Sequence, residues 1–399
     1  MHKMNLRKVY VLLMCLFTAF CTSLQLSGQT LKVPGVVVNH IPASTKTFIG
    51  SPSICILPNG DYIASHDHFG PATSEHSEAL SAVFKSTNRG KSWIKISEIH
   101  GQFWSNLFVH HDVLYIMGTW KHHGNLVIRR SFDGGNIWTE PKNGANGLLL
   151  EGEYHTAPMP MIVHNGRIWR AVENAKSESE KWGIRYSAMA ISAPLDSDLL
   201  KASNWTATNF LTHNPSYLEG KFGGWIEGNV VVKPDGKLVD ILRVATSEKG
   251  RELAATVNIS EDGLTASFDP SVGFMDFVGG AKKFSIRFDE KSKRYWTICN
   301  MTTPELADRD AGSVRNTLVI KSSSDLKSWA IHRVLLHHPD VLKHGFQYVD
   351  WQFDGKDIIF LSRTAWDDEF GGADNFHNAN YLTFHRIKNF RKLQRLMVN

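Results

Sequence analysis

Three arginines, Arg170, Arg243 and Arg363, close three separate apolar strands, and each carries a planar set of donors that matches a carboxylate. Trp104, Tyr154 and Tyr348 offer flat faces to a sugar ring. His66 and His68 share one strand face, since side chains alternate with period two, and imidazole exchanges protons near neutral pH. Gln102, His155, Glu173, Glu227 and Asn300 complete the polar set. Such residues are expected to clamp an acidic carbohydrate and to move protons on it. Glu173 and Glu227 keep a second chemistry open, the two-carboxyl hydrolysis of a glycosidic bond. A third reading is a surface that binds acidic glycans without turnover.

Residues so distant in sequence need a repeat to meet. Ser86-x-Asn88-x-Gly90-x-x-Trp93 is followed by Ser131-x-Asp133-x-Gly135-x-x-Trp138, and a worn copy, Ser322-x-Ser324-x-Leu326-x-x-Trp329, comes near the end. Units of this size, roughly 45 to 65 residues, cannot bury their faces alone and must stack, here as propeller blades of about four strands. In the motif, Ser and Asp bond turn backbone, Gly takes a positive φ, and Trp packs between sheets. These residues hold blades together and are not a site.

Six times an apolar strand, a Gly or Asp turn and a second apolar strand follow one another. The copies are 53–68, 105–119, 158–173, 229–243, 284–300 and 348–363, with turns such as Asn59-Gly60, Asn165-Gly166 and Asp354-Gly355. A third strand follows each, and Trp93, Trp138, Trp205, Phe268 and Trp329 open a fourth in the first five. The strand 36–40 is expected to complete the sixth and close the ring. The prediction is an all-β propeller over 29–399, of six blades, with seven as the alternative. In each hairpin the start of strand one and the end of strand two share a face. That face collects His66, His68, Arg170, Glu173, Arg243, Asn300 and Arg363 from strand ends. Strand starts add Gln102, Trp104, Tyr154, His155, Glu227, Lys283, Gln347 and Tyr348, making one concave polar pocket.

The first residues read as a secretory signal peptide over 1–28: Lys3, Arg7 and Lys8 precede an apolar run too short to span a membrane. A secreted or periplasmic location follows. Without those three cations the net charge falls from +5 to about +2, which does not suit nucleic acid. Cys55 and Cys299 lie in different repeats and are expected to be buried free thiols. His66-Asp67-His68, His110-His111, His122-His123 and His337-His338 lack the spacing of a zinc motif, so no metal or cofactor is predicted. No membrane span and no obligate protein partner is implied; the expected partner is an acidic oligosaccharide.

The stretch Ser131-Phe132-Asp133-Gly134-Gly135-Asn136-Ile137-Trp138 resembles the aspartate box of the sialidase superfamily of propellers. The Arg-Ile-Pro motif of classical sialidases has no counterpart, since Asn39-His40-Ile41-Pro42 holds no Arg. The chain is more similar to the propeller families acting on rhamnose–glucuronate linkages and on ulvan. Tyr154 and Arg170 resemble the Tyr and Arg of that lyase pattern, and His66 or His68 its first histidine. The resemblance implies β-elimination at C4–C5 of a glucuronate, with His66, His68 and Tyr154 transferring protons and the arginines neutralising the carboxylate. The leaving group is a sugar for a lyase and water for a dehydratase.

Overall fold

The structure is a computed structural model describing residues 32–396; the signal-peptide reading of 1–28 lies outside the described residues. All six expected hairpins form as antiparallel pairs. They are Ser53–Ile56 with Tyr62–Phe69, Phe103–His110 with Val113–Thr119, Ile162–His164 with Arg167–Asn174, Phe222–Val232 with Leu238–Thr246, Ser285–Asp289 with Arg294–Asn300, and Gly345–Asp354 with Asp357–Ala365. The second and third close through two consecutive left-handed residues, His111 and Asp112, then Asn165 and Gly166. Those dihedrals match the right-handed twist of the flanking strands.

A third strand pairs with each hairpin, and Val36–His40 pairs with the last of them, Tyr381–Ile387. The fourth strand departs from expectation after Trp138. Residues 139–147 run as turns around Pro141, and the strand starts only at Leu148. Leu148–His155 then pairs with Gly124–Ser131 and, through Tyr154 and His155, with Arg167–Asn174. The second and third units thereby share one eight-stranded sheet. Helix is limited to short 3-10 turns, and none among the described residues is long and apolar enough to cross a membrane.

Apolar clusters lie between hairpins. Ile63 meets Leu107 and Ile116, Met117 meets Ile168 and Val172, and Ala171 meets Trp225 and Leu242. Ile241 meets Ile286, Ile298 meets Trp351, and Ile359 and Leu361 return to Ile54 and Ala64 of the first hairpin. Trp169, Trp225 and Trp351 are among the largest fully buried side chains, and burial of each large apolar side chain contributes about 2 kcal/mol. Cys55 and Cys299 are buried free thiols.

The turn motifs work as read, with one shift of register. Gly90 N and Gly135 N donate to Ser86 Oγ and Ser131 Oγ at 2.9 and 2.8 Å. Asp133 Oδ1 accepts from Asn136 N and Ile137 N. The worn copy begins one residue later, at Ser323, with Asp325 accepting from Lys327 N and Ser328 N. It is shorter by one residue, and Leu326 takes the left-handed place at φ 65°.

Candidate functional site

Three first strands carry the same distortion. Between Phe103 and Asn106, Ile226 and Asn229, and Gln347 and Asp350, one extra residue enters against the partner strand. In each bulge the residue after the last paired one has a left-handed backbone: Trp104 at φ 50°, Glu227 at 59° and Tyr348 at 54°. A bulge re-aims a side chain, and a non-glycine held at positive φ costs of order 1–3 kcal/mol. The partners just before these bulges are Thr119, Arg243 and Arg363. Interblade bonds hold the strands: Asp350 Oδ2 accepts from Ser53 Oγ and Ile54 N at 2.9 Å, and Asn229 Oδ1 accepts from Ile286 N at 2.9 Å.

Tyr348 is the centre. Arg243 and Glu227 lie against it, and Arg243 Nη1 donates to Glu227 Oε2 at 3.1 Å. The Arg363 and Arg315 guanidinium carbons lie 5.0 and 5.7 Å from the centre of its ring. The Trp104 ring stacks with it at 6.4 Å between centroids. A cavity of about 340 Å³ opens here, lined by Arg243, Arg315, Tyr348, His377 and the half-exposed Trp182, which covers Arg243 at 4.8 Å.

Burial works to raise the Glu227 carboxyl, but Arg243, His155 and Tyr348 outweigh it and hold it below the usual range. Burial and the Glu227 charge push the Tyr348 phenol up, against the three arginines. Arg363 falls to about 9 and Arg315 to about 10, chiefly through burial. Arg315 donates to Gln347 Oε1 and to Gly312 O at 3.1 Å, and Arg363 donates to His377 O at 2.6 Å. Among the described residues, neither makes a salt bridge. Next to this cluster His155 Nδ1 meets Glu173 Oε2 at 2.8 Å, and Glu173 Oε1 accepts from Gly228 N at 3.1 Å.

Other residues expected at the site lie elsewhere. His66 Nδ1 donates to Asp67 O and its Nε2 accepts from Asn39 Nδ2, both at 2.9 Å. Burial lowers its pKa to about 3. His68 lies edge-on to His66, at 4.9 Å, with Glu98 and Lys95 as its charged neighbours. Tyr154 packs against the cluster of Met117, Ile168 and Val172, and burial raises its pKa. Arg170 donates to Met117 O, Thr156 Oγ1 and Ala157 O at 2.7–2.9 Å, while its Nε is buried without a partner. Gln102 bridges Ser105 Oγ and Arg129 Nε. Asn300 Nδ2 donates to Arg315 O and Phe346 O, so it positions the chain that carries Arg315.

Arg315, His377 and Trp182 escape the rule of strand-one starts and strand-two ends. All lie in or at the end of connections from a second strand to a third. Those connections also open on this face, so the position just before a third strand was the signal available.

No family model matches the chain, and no curated protein matches its sequence. Solved structures do. An α-L-arabinanase of Penicillium chrysogenum complexed with arabinobiose aligns over 90% of this chain and 99% of its own, at 13% identity and TM-score 0.56. The α-L-arabinofuranosidase Arb93A of Fusarium graminearum covers 88% and 97%, at 12% identity and TM-score 0.55. A Trypanosoma rangeli sialidase complexed with sialic acid covers 85% of this chain and 54% of its own, at 13% identity and TM-score 0.51. These named enzymes are glycoside hydrolases, and they speak against the expected β-elimination; no lyase-type propeller is among these three neighbours. The geometry gives the physical reason: both His66 nitrogens are engaged within the sheet, Tyr154 faces an apolar cluster, and Arg170 is tied to backbone. At such identity the likeness is one of fold: this is an all-β chain of antiparallel sheets with the sialidase-like propeller architecture.

Proposed function

We propose that the protein is a glycoside hydrolase that removes a terminal sugar acid, with Tyr348 as nucleophile and Glu227 as its base. The carrying observation is the imbalance of charge acting on the Tyr348 phenol: three buried guanidiniums, Arg243, Arg315 and Arg363, against one carboxylate, Glu227, already paired with Arg243, while Asp310 and Asp67 are further charged neighbours of Arg315 and Arg363. A carboxylate on the substrate supplies the missing anion, and planar donors suit it.

A sugar whose anomeric carbon bears a carboxylate repels an anionic nucleophile. A neutral phenol beside an ionised base avoids that repulsion, and tyrosine is the nucleophile where the usual carboxylate pair is replaced. Tyr348, pushed up, keeps its proton at rest, and Glu227, held down, stands ionised beside it, so the proton passes to Glu227 only as the phenolic oxygen bonds to carbon. Attack of the phenolic oxygen on the anomeric carbon passes its proton to Glu227 and expels the aglycone oxygen, which leaves as a phenolate or takes a proton from solvent; water then cleaves the tyrosyl–sugar bond, giving up a proton to solvent while Glu227 returns its own to the phenolic oxygen. Trp104 and Trp182 are walls for the ring. The sialidase among the structural neighbours supports this reading.

We also infer that the six hairpins are six blades, closed into a ring by Val36–His40, in a single domain over 29–399. The charged and apolar N-terminus supports export to the periplasm or beyond.

The test uses 4-methylumbelliferyl glycosides, whose phenolate leaves without a proton donor, so fluorescence reports the Tyr348 step itself. The panel carries N-acetylneuraminic acid, glucuronic acid and α-L-arabinofuranose. Release from an acidic glycoside, lost in Tyr348→Phe, supports the proposal. Release from the arabinofuranoside alone, or turnover that survives Tyr348→Phe, overturns it.

A further inference from the structure

Two connections from a second strand to a third bring together three side chains that ligate metals. Glu75 and His76 lie between Tyr62–Phe69 and Leu80–Ser86, and His122 lies between Val113–Thr119 and Gly124–Ser131. The backbone ties them, with His122 N donating to Glu75 O at 2.7 Å. Glu75 Oε1 is 3.1 Å from His76 Nε2 and 3.8 Å from His122 Nδ1. The two imidazoles stack 4.9 Å apart. One ligand atom from each residue lies within 4.8 Å of the others.

Two atoms of this group are buried without a hydrogen-bond partner: Glu75 Oε2 and His122 Nδ1. A buried acceptor left unpaired is destabilising, and such a group calls for an explanation. An ion pair between Glu75 and His76 leaves both atoms unserved. A cation bound by His122 Nδ1 and by the Glu75 carboxylate through both oxygens serves both.

We propose that Glu75, His76 and His122 bind a divalent transition-metal ion of the zinc class. One carboxylate and two imidazoles are a ligand set of that class, and a water molecule completes the coordination. The His76 side chain is 76% exposed, which gives the ion its way in. Trp104 links the site to Tyr348: its Nε1 donates to His122 O at 2.9 Å, its ring meets the His122 imidazole edge-on at 5.3 Å and stacks with Tyr348 at 6.4 Å. The ion is therefore a positioning element for the Trp104 wall, outside the Tyr348–Glu227 pair. No zinc motif is legible in the sequence because the ligands come from two repeats.

The experiment takes the full chain without a histidine tag, freed of metal by chelator, and titrates it with zinc chloride by calorimetry while Tm is followed. One equivalent bound with a rise in Tm is expected. His76→Ala alters an exposed ring and leaves the metal-free Tm unchanged, yet weakens zinc binding by at least about tenfold. Glu75→Gln does the same to the affinity. No zinc uptake, or equal affinity in the wild type and both variants, as for scattered surface histidines, overturns the proposal.

Discussion

Glu227 and Tyr348 stand at the same place in two different hairpins. Each is the left-handed residue of a one-residue bulge, at φ 59° and 54°, and each follows a residue paired with an arginine, Ile226 with Arg243 and Gln347 with Arg363. One backbone device, used twice, brings a carboxylate and a phenol together and sets two guanidiniums beside them. Arg315 enters from outside the hairpins, ahead of the third strand Thr317–Ser323. The strain at these residues persists because the buried partners over-determine it.

Removal of the phenolic oxygen tests the nucleophile. Tyr348→Phe is expected to lower kcat on a cleavable sugar-acid glycoside by about 10³-fold or more, with Tm nearly unchanged, since the ring keeps its packing. Steady-state kinetics with thermal melts of both proteins decide it; a kcat within a few-fold of wild type removes Tyr348 from the chemistry.

Arg363 separates binding from folding. Its guanidinium is buried, donates to His377 O at 2.6 Å and leaves Nε without a partner. Arg363→Met exchanges an incompletely paired buried cation for an apolar side chain. The melting temperature is expected to hold or rise, while affinity for a carboxylated sugar inhibitor falls about ten- to hundredfold, the worth of a hydrogen bond to a charged group. Inhibition constants that do not move argue that the anion binds elsewhere.

A buried carboxyl beside the site makes stability depend on pH. Asp67 accepts from Ser81 Oγ at 2.7 Å and from Trp104 N at 2.9 Å, and burial raises its pKa from 3.8 to about 7. The native state therefore holds the proton more tightly than the unfolded chain. The stabilisation is complete below about pH 4 and is lost as pH rises through about 7, by up to a few kcal/mol. His66, lowered from 6.5 to about 3, has the opposite sign: its contribution is present above pH 6.5 and is lost as pH falls through about 3. Asp67→Asn isolates the carboxyl. The Tm difference, variant minus wild type, is expected to rise from pH 4 to 7 and then level off; a flat difference shows that the carboxyl keeps an ordinary pKa.

Gly183 controls the Trp182 wall. It sits at φ 84°, and a Cβ there meets Gly223 O at 2.2 Å. Gly183→Ala cannot fit without moving the segment that lays Trp182 over Arg243. KM on the cleavable glycoside is expected to rise roughly tenfold or more, with global unfolding little changed. Unaltered KM and kcat mean that Trp182 does not shape the bound state.

The strand plan is written in the sequence because period-two alternation and turn chemistry are local. Asn59-Gly60, Asn165-Gly166 and Asp354-Gly355 mark their hairpins, and strands from Ser53–Ile56 to Tyr381–Ile387 follow the apolar alternation. Glu227, Arg243, Tyr348 and Arg363 could be placed on one face by the same counting. Which residues on that face meet was not local information. His66 and Arg170 share the strand-end positions, yet Asn39, Asp67 O and the carbonyls of Met117 and Ala157 engage them. Arg315 and the trio of Glu75, His76 and His122 lie in connections, where no periodicity signals direction. At all three bulges the left-handed residue itself, Trp104, Glu227 or Tyr348, is not a glycine, because tertiary contacts of bulky residues, not their own preferences, hold that backbone.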